Sequence, residues 1–380
     1  MRPAIVALLL SITVSSAATP ARADDWTVCK DENAAADSAV EACTRIIRAG
    51  KTKGNDLAIT YYNRAISYRQ KSDNDSALAD YNESIRINPK YAKSFNNRGN
   101  IWKDKGDLDR AMADYNEAIR LDAKFALAYA NRGDLWDDKS DSNRAIADLD
   151  SAIRHDPKYS RAYNVRGVVW KKKGDLDRAI ADFTDAIRND PKSAIAYANR
   201  GDAWDDKGDQ DRAIADLTEA IRISPNYARA YNIRGVIHRN RNDLDRALAD
   251  YTEAVRADPK FALAYINRGN TYKERGDQDR AIADYGEAIR INAKSDIAYM
   301  RRSEAWLKKG DRIAALRDAD EAVNLDPKDA ANYANRAAVM RALNRNDDAI
   351  ADLRKGLSLD PNASRKRQLE TALRELGVTP

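Results

Sequence analysis

Histidine and cysteine are the scarcest residues in this chain of 380, with two of each. His155 and His238 stand 83 positions apart and share no short motif. Neither a zinc centre nor a histidine-driven nucleophile is therefore written locally. No nucleophile elbow, glycine-rich phosphate loop or metal-ligand spacing occurs anywhere. An enzyme is not expected, and neither is a cofactor or a metal. An excess of one charge sign is also missing, because 65 Lys and Arg face 60 Asp and Glu. The total balance gives no reason to expect nucleic acid or another polyanion as partner. Glycine, proline and aromatic residues are modest in number, and no stretch is low in complexity.

Long apolar runs are absent beyond the N-terminus. Residues 1–23, "MRPAIVALLLSITVSSAATPARA", carry one arginine, an apolar run from Ala4 to Ala17, and then Ala21-Arg22-Ala23. Small residues one and three back from a cut suit a signal peptidase, so cleavage before Asp24 is expected. The run is short for a membrane span of about 20 residues. No cysteine follows it closely enough for a lipoprotein, and one arginine does not make a twin-arginine signal. The mature chain is expected to be exported, periplasmic or secreted, with no membrane insertion after cleavage. Cys29 and Cys43 then meet an oxidising compartment, where a structural disulfide is the expected state.

What is present is a period. Gly99, Gly133, Gly167, Gly201, Gly235 and Gly269 recur at 34 residues, and Ala65, Ser303 and Ala337 continue the series. Three residues on stand Tyr68, Trp102, Trp136, Trp170, Trp204, His238, Tyr272, Trp306 and Met340. Alanine follows each small residue at twelve positions, from Ala77 through Ala213 to Ala349. Proline closes most units, from Pro89 to Pro361, with Ala123 and Ala293 in its place twice. In one unit, Tyr197, Gly201 and Trp204 share a helical face. Gly208 supplies a left-handed turn, and Ala213, Leu217, Ala220 and Ile221 line a second helix that Pro225 stops. One such pair cannot bury its apolar side alone, so neighbours must stack. By the same spacing the tryptophans and His238 are expected in the core.

The period, the glycine, the aromatic, the alanine and the proline resemble the tetratricopeptide repeat family over residues 58–363. The expected fold is all-α: a superhelical solenoid of about nine helix-turn-helix repeats with caps at both ends. The N-terminal cap spans 24–57, where residues 34–48 echo a second helix, and a capping helix with Leu369, Leu373 and Leu376 spans 364–380. One departure is systematic. Where the family usually places an apolar residue before the glycine, this chain has arginine, from Arg64 through Arg200 to Arg336. Aspartate follows each arginine by sixteen residues, as Asp80, Asp216 and Asp352 do, which predicts a structural charge pair between helices.

The resemblance implies that first helices line a groove for a partner protein or extended peptide. One groove place reads Lys103, Asp137, Lys171, Asp205, Arg239 and Lys273, and the next reads Asp104, Asp138, Lys172, Asp206, Asn240 and Glu274. Units therefore alternate, acidic at 126–159 and 194–227, basic at 160–193 and 228–261. Mutual neutralisation of neighbours explains such a pattern without function, yet exposed pairs contribute only about 0–1 kcal/mol each. Asp205 and Asp206 also sit where the helix dipole disfavours acids. Three aspartates on one helix, Asp202, Asp205 and Asp206, do not make a calcium site, which usually wraps a loop around the ion. The charged stripe, with Asp134, Arg161 and Arg229, is expected to recognise a partner. The asparagines before the arginine, Asn63, Asn97, Asn131, Asn199, Asn267 and Asn335, are expected to hold a peptide backbone, and Asn164 and Asn232 to lie on the same partner-binding face. The family's carboxylate clamp is matched only in part, because Asn96 and Val165 replace basic residues. A non-enzymatic interaction scaffold is the expected function, with self-assembly of repeats as the alternative.

Overall fold

In the computed structural model, residues 24–31 and 33–379 are described. The signal peptide expected at 1–23 lies outside the described residues. Those residues form 21 α-helices, the cap pair α1 (Asp25–Lys30) and α2 (Ala36–Ala49) followed by nine repeat pairs and a last helix. The first pairs are α3 (Gly54–Gln70) with α4 (Asn74–Ile87), α5 (Ala92–Asp104) with α6 (Leu108–Leu121), and α7 (Ala126–Asp138) with α8 (Ser142–His155). Then come α9 (Ser160–Lys172) with α10 (Leu176–Asn189), α11 (Ala194–Asp206) with α12 (Gln210–Ile223), and α13 (Ala228–Asn240) with α14 (Leu244–Ala257). The array closes with α15 (Ala262–Glu274) and α16 (Gln278–Ile291), α17 (Asp296–Lys309) and α18 (Arg312–Leu325), α19 (Ala330–Ala342) and α20 (Asn346–Ser358), and α21 (Ala363–Glu375). Two compact units divide the chain, one up to Val169 and one from Trp170.

The turn inside each pair is set by two residues. The first takes a left-handed backbone, as Gly208 does at φ +87°; Ser72, Ser140, Asn242 and Asn344 accept the same place at φ 60–61°. Glycine is favoured there because it has no Cβ to clash, and Asn tolerates the region. Aspartate comes next. Asp73, Asp107, Asp141, Asp175, Asp209, Asp243, Asp277 and Asp311 each accept the backbone N–H three residues on. This satisfies a donor at the start of every second helix except α20, where Arg345 makes no such cap.

Packing within a pair explains the small residues. A Cβ added to Gly235 would stand 2.8 Å from Cε1 of Tyr251, and one on Gly201 would stand 3.0 Å from the Ala213 carbonyl oxygen and from Cγ of Leu217. The alanines of the second helices, Ala77 through Ala349, are fully buried. The tryptophans pack against the core as expected, with part of each ring left toward the surface. Trp102, Trp136, Trp204 and Trp306 are only partly buried. Arg110, Arg178 and Arg212 lie over the rings of Trp102, Trp170 and Trp204 at 3.7, 3.8 and 3.9 Å. A guanidinium over an aromatic face is attracted by the ring's charge distribution, so the outer side of the ring is covered by a cation. His238 is buried as expected, and burial lowers its pKa.

Both ends carry caps. Cys29 and Cys43 are bonded to each other and buried, and Asp25, 1% exposed, receives Arg45 Nη2 at 2.6 Å. The short α1 was not anticipated; six residues carry too little periodicity to read, and the disulfide and the ion pair hold it on α2. The first repeat helix begins at Gly54, four residues before Ala58, after Gly50 ends α2 in the left-handed region. At the far end Leu369 and Leu373 of α21 are fully buried, as their stripe predicted.

Replacing both Cys29 and Cys43 by serine should lower stability by about 3 kcal/mol in the chain-entropy account of a loop this size. Chemical denaturation of the oxidised chain, the reduced chain and the double variant measures this. An unchanged midpoint in the variant would show that Asp25–Arg45 and apolar contact hold the cap by themselves.

Candidate functional site

Most of the in-register arginines are three-way joints; for Arg302, Gly286 stands where the preceding second helix would supply the third partner. Arg200 donates from Nε and Nη2 to the two oxygens of Asp216, both at 2.8 Å, and from Nη1 to Thr184 Oγ1 at 3.1 Å. It thus ties its own second helix to the preceding one. Arg132 does the same with Asp148 and Asn116, and Arg234 with Asp250 and Thr218. Arg336 reaches Asp352 and, at 3.0 Å, Asp320. The aspartates are buried, Asp216 at 8% exposure. Hydrogen bonding to Asp216 raises the pKa of Arg200 against the opposing effect of burial. The pair is structural, as the sixteen-residue spacing predicted, and the arginines are not an open ladder for ligand.

The alternating charges meet across neighbouring first helices. Lys103 on α5 reaches Asp134 at 2.6 Å and Asp138 at 2.9 Å on α7, and Arg161 on α9 approaches Asp134 from the other side at 3.5 Å. The second unit repeats the arrangement. Lys171 reaches Asp202 at 2.6 Å and Asp206 at 3.0 Å, while Arg229 Nη2 donates to Asp202 at 3.2 Å. Further along, Arg239 pairs with Glu274 at 3.2 Å and Lys273 with Glu304 at 2.5 Å. Asp205 is half-buried beside Gln210; burial first and the neighbouring Asp206 next raise its pKa. Asp137 is likewise half-buried and Lys172 is exposed. The stripe is therefore engaged with itself. The acidic and basic units attract one another at contact distance, and that sets where their side chains point.

The amides are engaged within the chain as well. Asn131, Asn199 and Asn232 are 3%, 5% and 5% exposed. Asn131 donates to Asn96 at 2.9 Å and accepts from Arg161 at 3.1 Å. Asn199 accepts from Arg229 at 3.1 Å, and Asn232 accepts from Asn267 at 2.9 Å. They bridge adjacent first helices. Asn164 is half-buried at the corresponding place on α9.

The structure exposes something else on these helices. Ile195, Leu263 and Ile297 are 54%, 50% and 49% exposed, and all three occupy one place in the repeat, on α11, α15 and α17. Arg229 fills that place on α13, with a side chain 48% exposed. Reading the charged positions passed over this column. Apolar residues in a helix near its start look like core until their neighbours are placed.

Paired helices at a fixed period define a stacked helical-repeat protein. Tetratricopeptide repeat models match residues 58–91, 99–135, 130–181, 171–228, 206–262, 234–297 and 330–363, more than half of the chain. The chain belongs to the tetratricopeptide repeat family. It is similar to a tetratricopeptide repeat protein from Parabacteroides merdae, at 20% identity over 65% of this chain and 98% of that one, with a TM-score of 0.51. A monomeric IFIT1 mutant with Gppp-AAAA matches at 13% identity over 94% of this chain and 89% of that one, with a TM-score of 0.57. YrrB, described as a repeat protein with an unusual peptide-binding site, matches at 25% identity over 48% of this chain and 95% of that one, at a TM-score of 0.38. Nothing among curated proteins matches the chain. Proteins of this family are generally non-enzymatic and typically serve as protein–protein interaction scaffolds.

Arg200→Ala should destabilise the fold by about 3–5 kcal/mol, because it strands the buried Asp216 carboxylate. Arg200→Leu combined with Asp216→Ala should recover much of that loss. Thermal and denaturant unfolding of the three chains decides it. A single variant that unfolds like the parent would contradict the structural role.

Proposed function

We propose that this protein is an exported, non-enzymatic scaffold that holds a partner polypeptide on the first helices of its second unit. The observation that carries the reading is the column of exposed aliphatic side chains, Ile195, Leu263 and Ile297. Among the described residues only Ile313 is another large hydrophobic of comparable exposure, so three of four share one repeat place. The charges beside them are already matched within the chain. Burial of apolar area, at about 25 cal/mol per Å², is then the attraction left for a partner, and the paired charges position the column. Export is supported by the character of residues 1–23 and by the disulfide, a bond that persists in oxidising compartments. No helix among the described residues is long and apolar enough to cross a membrane.

Ile195→Asp with Leu263→Asp should weaken partner capture at least about tenfold, a loss of roughly 1.4 kcal/mol, and leave the unfolding midpoint unchanged because both side chains face water. In contrast, Asp202, Asp205 and Asp206 changed together to asparagine should leave capture nearly intact and lower the midpoint by loosening Lys171 and Arg229. Capture is measured by crosslinking and pull-down from cell-envelope fractions, followed by kinetics with the recovered protein across ionic strength. Capture lost with the asparagines and kept with the aspartate pair would overturn the reading. Light scattering that grows with concentration, and stops growing in the Ile195→Asp chain, would make the partner a second copy.

A further inference from the structure

Along the second unit, side chains cross from each first helix to the next. Lys171–Asp202–Arg229 does so, and so do Asn267–Asn232, Lys273–Glu304 and Asn335–Ser303. Between α19 and α21 the pattern thins: Arg341 keeps the repeat place of Lys171 and Lys273, and the places beside it carry short side chains. Ala338 stands at the repeat place of Asp202 and Glu304, and Ala334 at that of Ile266 and Met300. The facing helix brings the small Thr371 and Ala372. Arg341 to Glu375, at 2.9 Å, is the polar contact that spans the gap. An open cavity of about 400 Å³ results, backed by the buried Leu353 and Leu369. Arg367 lines it, exposed; its Nε donates to the Ala363 carbonyl at 3.2 Å, and it has no acidic partner among the described residues.

The space is of the size of small-ligand pockets, about 300–1,000 Å³, with an apolar back and an unmatched guanidinium at its mouth. We propose that this cavity seats one aliphatic or aromatic side chain of a partner polypeptide, with the carboxylate of an adjacent acidic residue against Arg367. The inference rests on the scaffold reading and gives it an anchor at the C-terminal end of the array. An apolar side chain fills the gap that alanines leave, and the guanidinium selects an acid beside it by a charge-assisted hydrogen bond. Arg341 and Glu375 neutralise each other and so do not compete for that acid.

The test uses the whole mature chain and a probe hexapeptide of glycine and serine carrying one phenylalanine next to one aspartate. Titration is followed by the methyl NMR signals of Ala338, Ala372 and Leu369. Saturable shifts at these methyls are expected, and a probe with serine for phenylalanine should produce none. Asparagine for aspartate should weaken binding several-fold in the parent chain and make no difference in Arg367→Gln, an exposed change that does not threaten folding. Ala338→Leu, which fills the cavity, should lower affinity by roughly tenfold. Absent shifts, or equal affinity of the parent and both variants, would overturn the proposal. Loss of partner capture by Ile195→Asp with Leu263→Asp, together with no effect of the cavity variants, would leave the scaffold standing and remove the anchor.

Discussion

A guanidinium held among three helices governs this fold. Arg200 satisfies both oxygens of Asp216 and still has a nitrogen for Thr184 on the preceding second helix. An apolar residue at that place would pack between the same helices without fixing their rotation. The planar fork does fix it, because two parallel N–H···O bonds tolerate little twist. The cost is desolvation of a charge pair, which only good geometry offsets. The repeat supplies that geometry with a small residue beside the arginine, glycine in six repeats and Ala65, Ser303 or Ala337 in the others, which lets the second helix come within reach. The arginine and its small neighbour are thus one device.

Fixing the helices has a second effect. Once first helices lie side by side at constant rotation, the residues at a given repeat place form a column, and charges of opposite sign in one column meet. Lys103 with Asp134, and Lys171 with Asp202, are consequences of that alignment. Their neighbour pairing leaves the exposed aliphatics as the unmatched feature of the same helices. A face rich in charge by composition is therefore apolar in what it offers.

Period and pairing were legible in the sequence because they repeat: Arg200 with Asp216 is written nine times over, and Gly201 with Ala213 six times. Side-chain direction was not. Asn131 and Asn199 looked like open amides because polar residues on a helix ridge usually meet water, and only the position of the next helix shows them buried. Trp204 looked like core because its spacing matches core, yet Arg212 supplies part of its cover from outside. Ile195 shows the reverse error, since its exposure depends on what the neighbouring helix fails to place over it. The short α1 carries almost no pattern, and its position follows from one covalent bond and one ion pair. Local rules gave the elements, and contacts between units decided which face each element shows.

The pairing of charges between neighbours also constrains how such a gene can lengthen or shorten. Removing residues 126–159 alone would bring Val168 to the place of Asp134 and Lys172 to that of Asp138, so Lys103 would meet a like charge. Removing 126–193 would bring Asp202 and Asp206 to those places and restore the match. The heritable module of the central array is then the 68-residue doublet, although the structural period is 34. Unequal exchange between copies preserves electrostatic register only when it moves an even number of repeats.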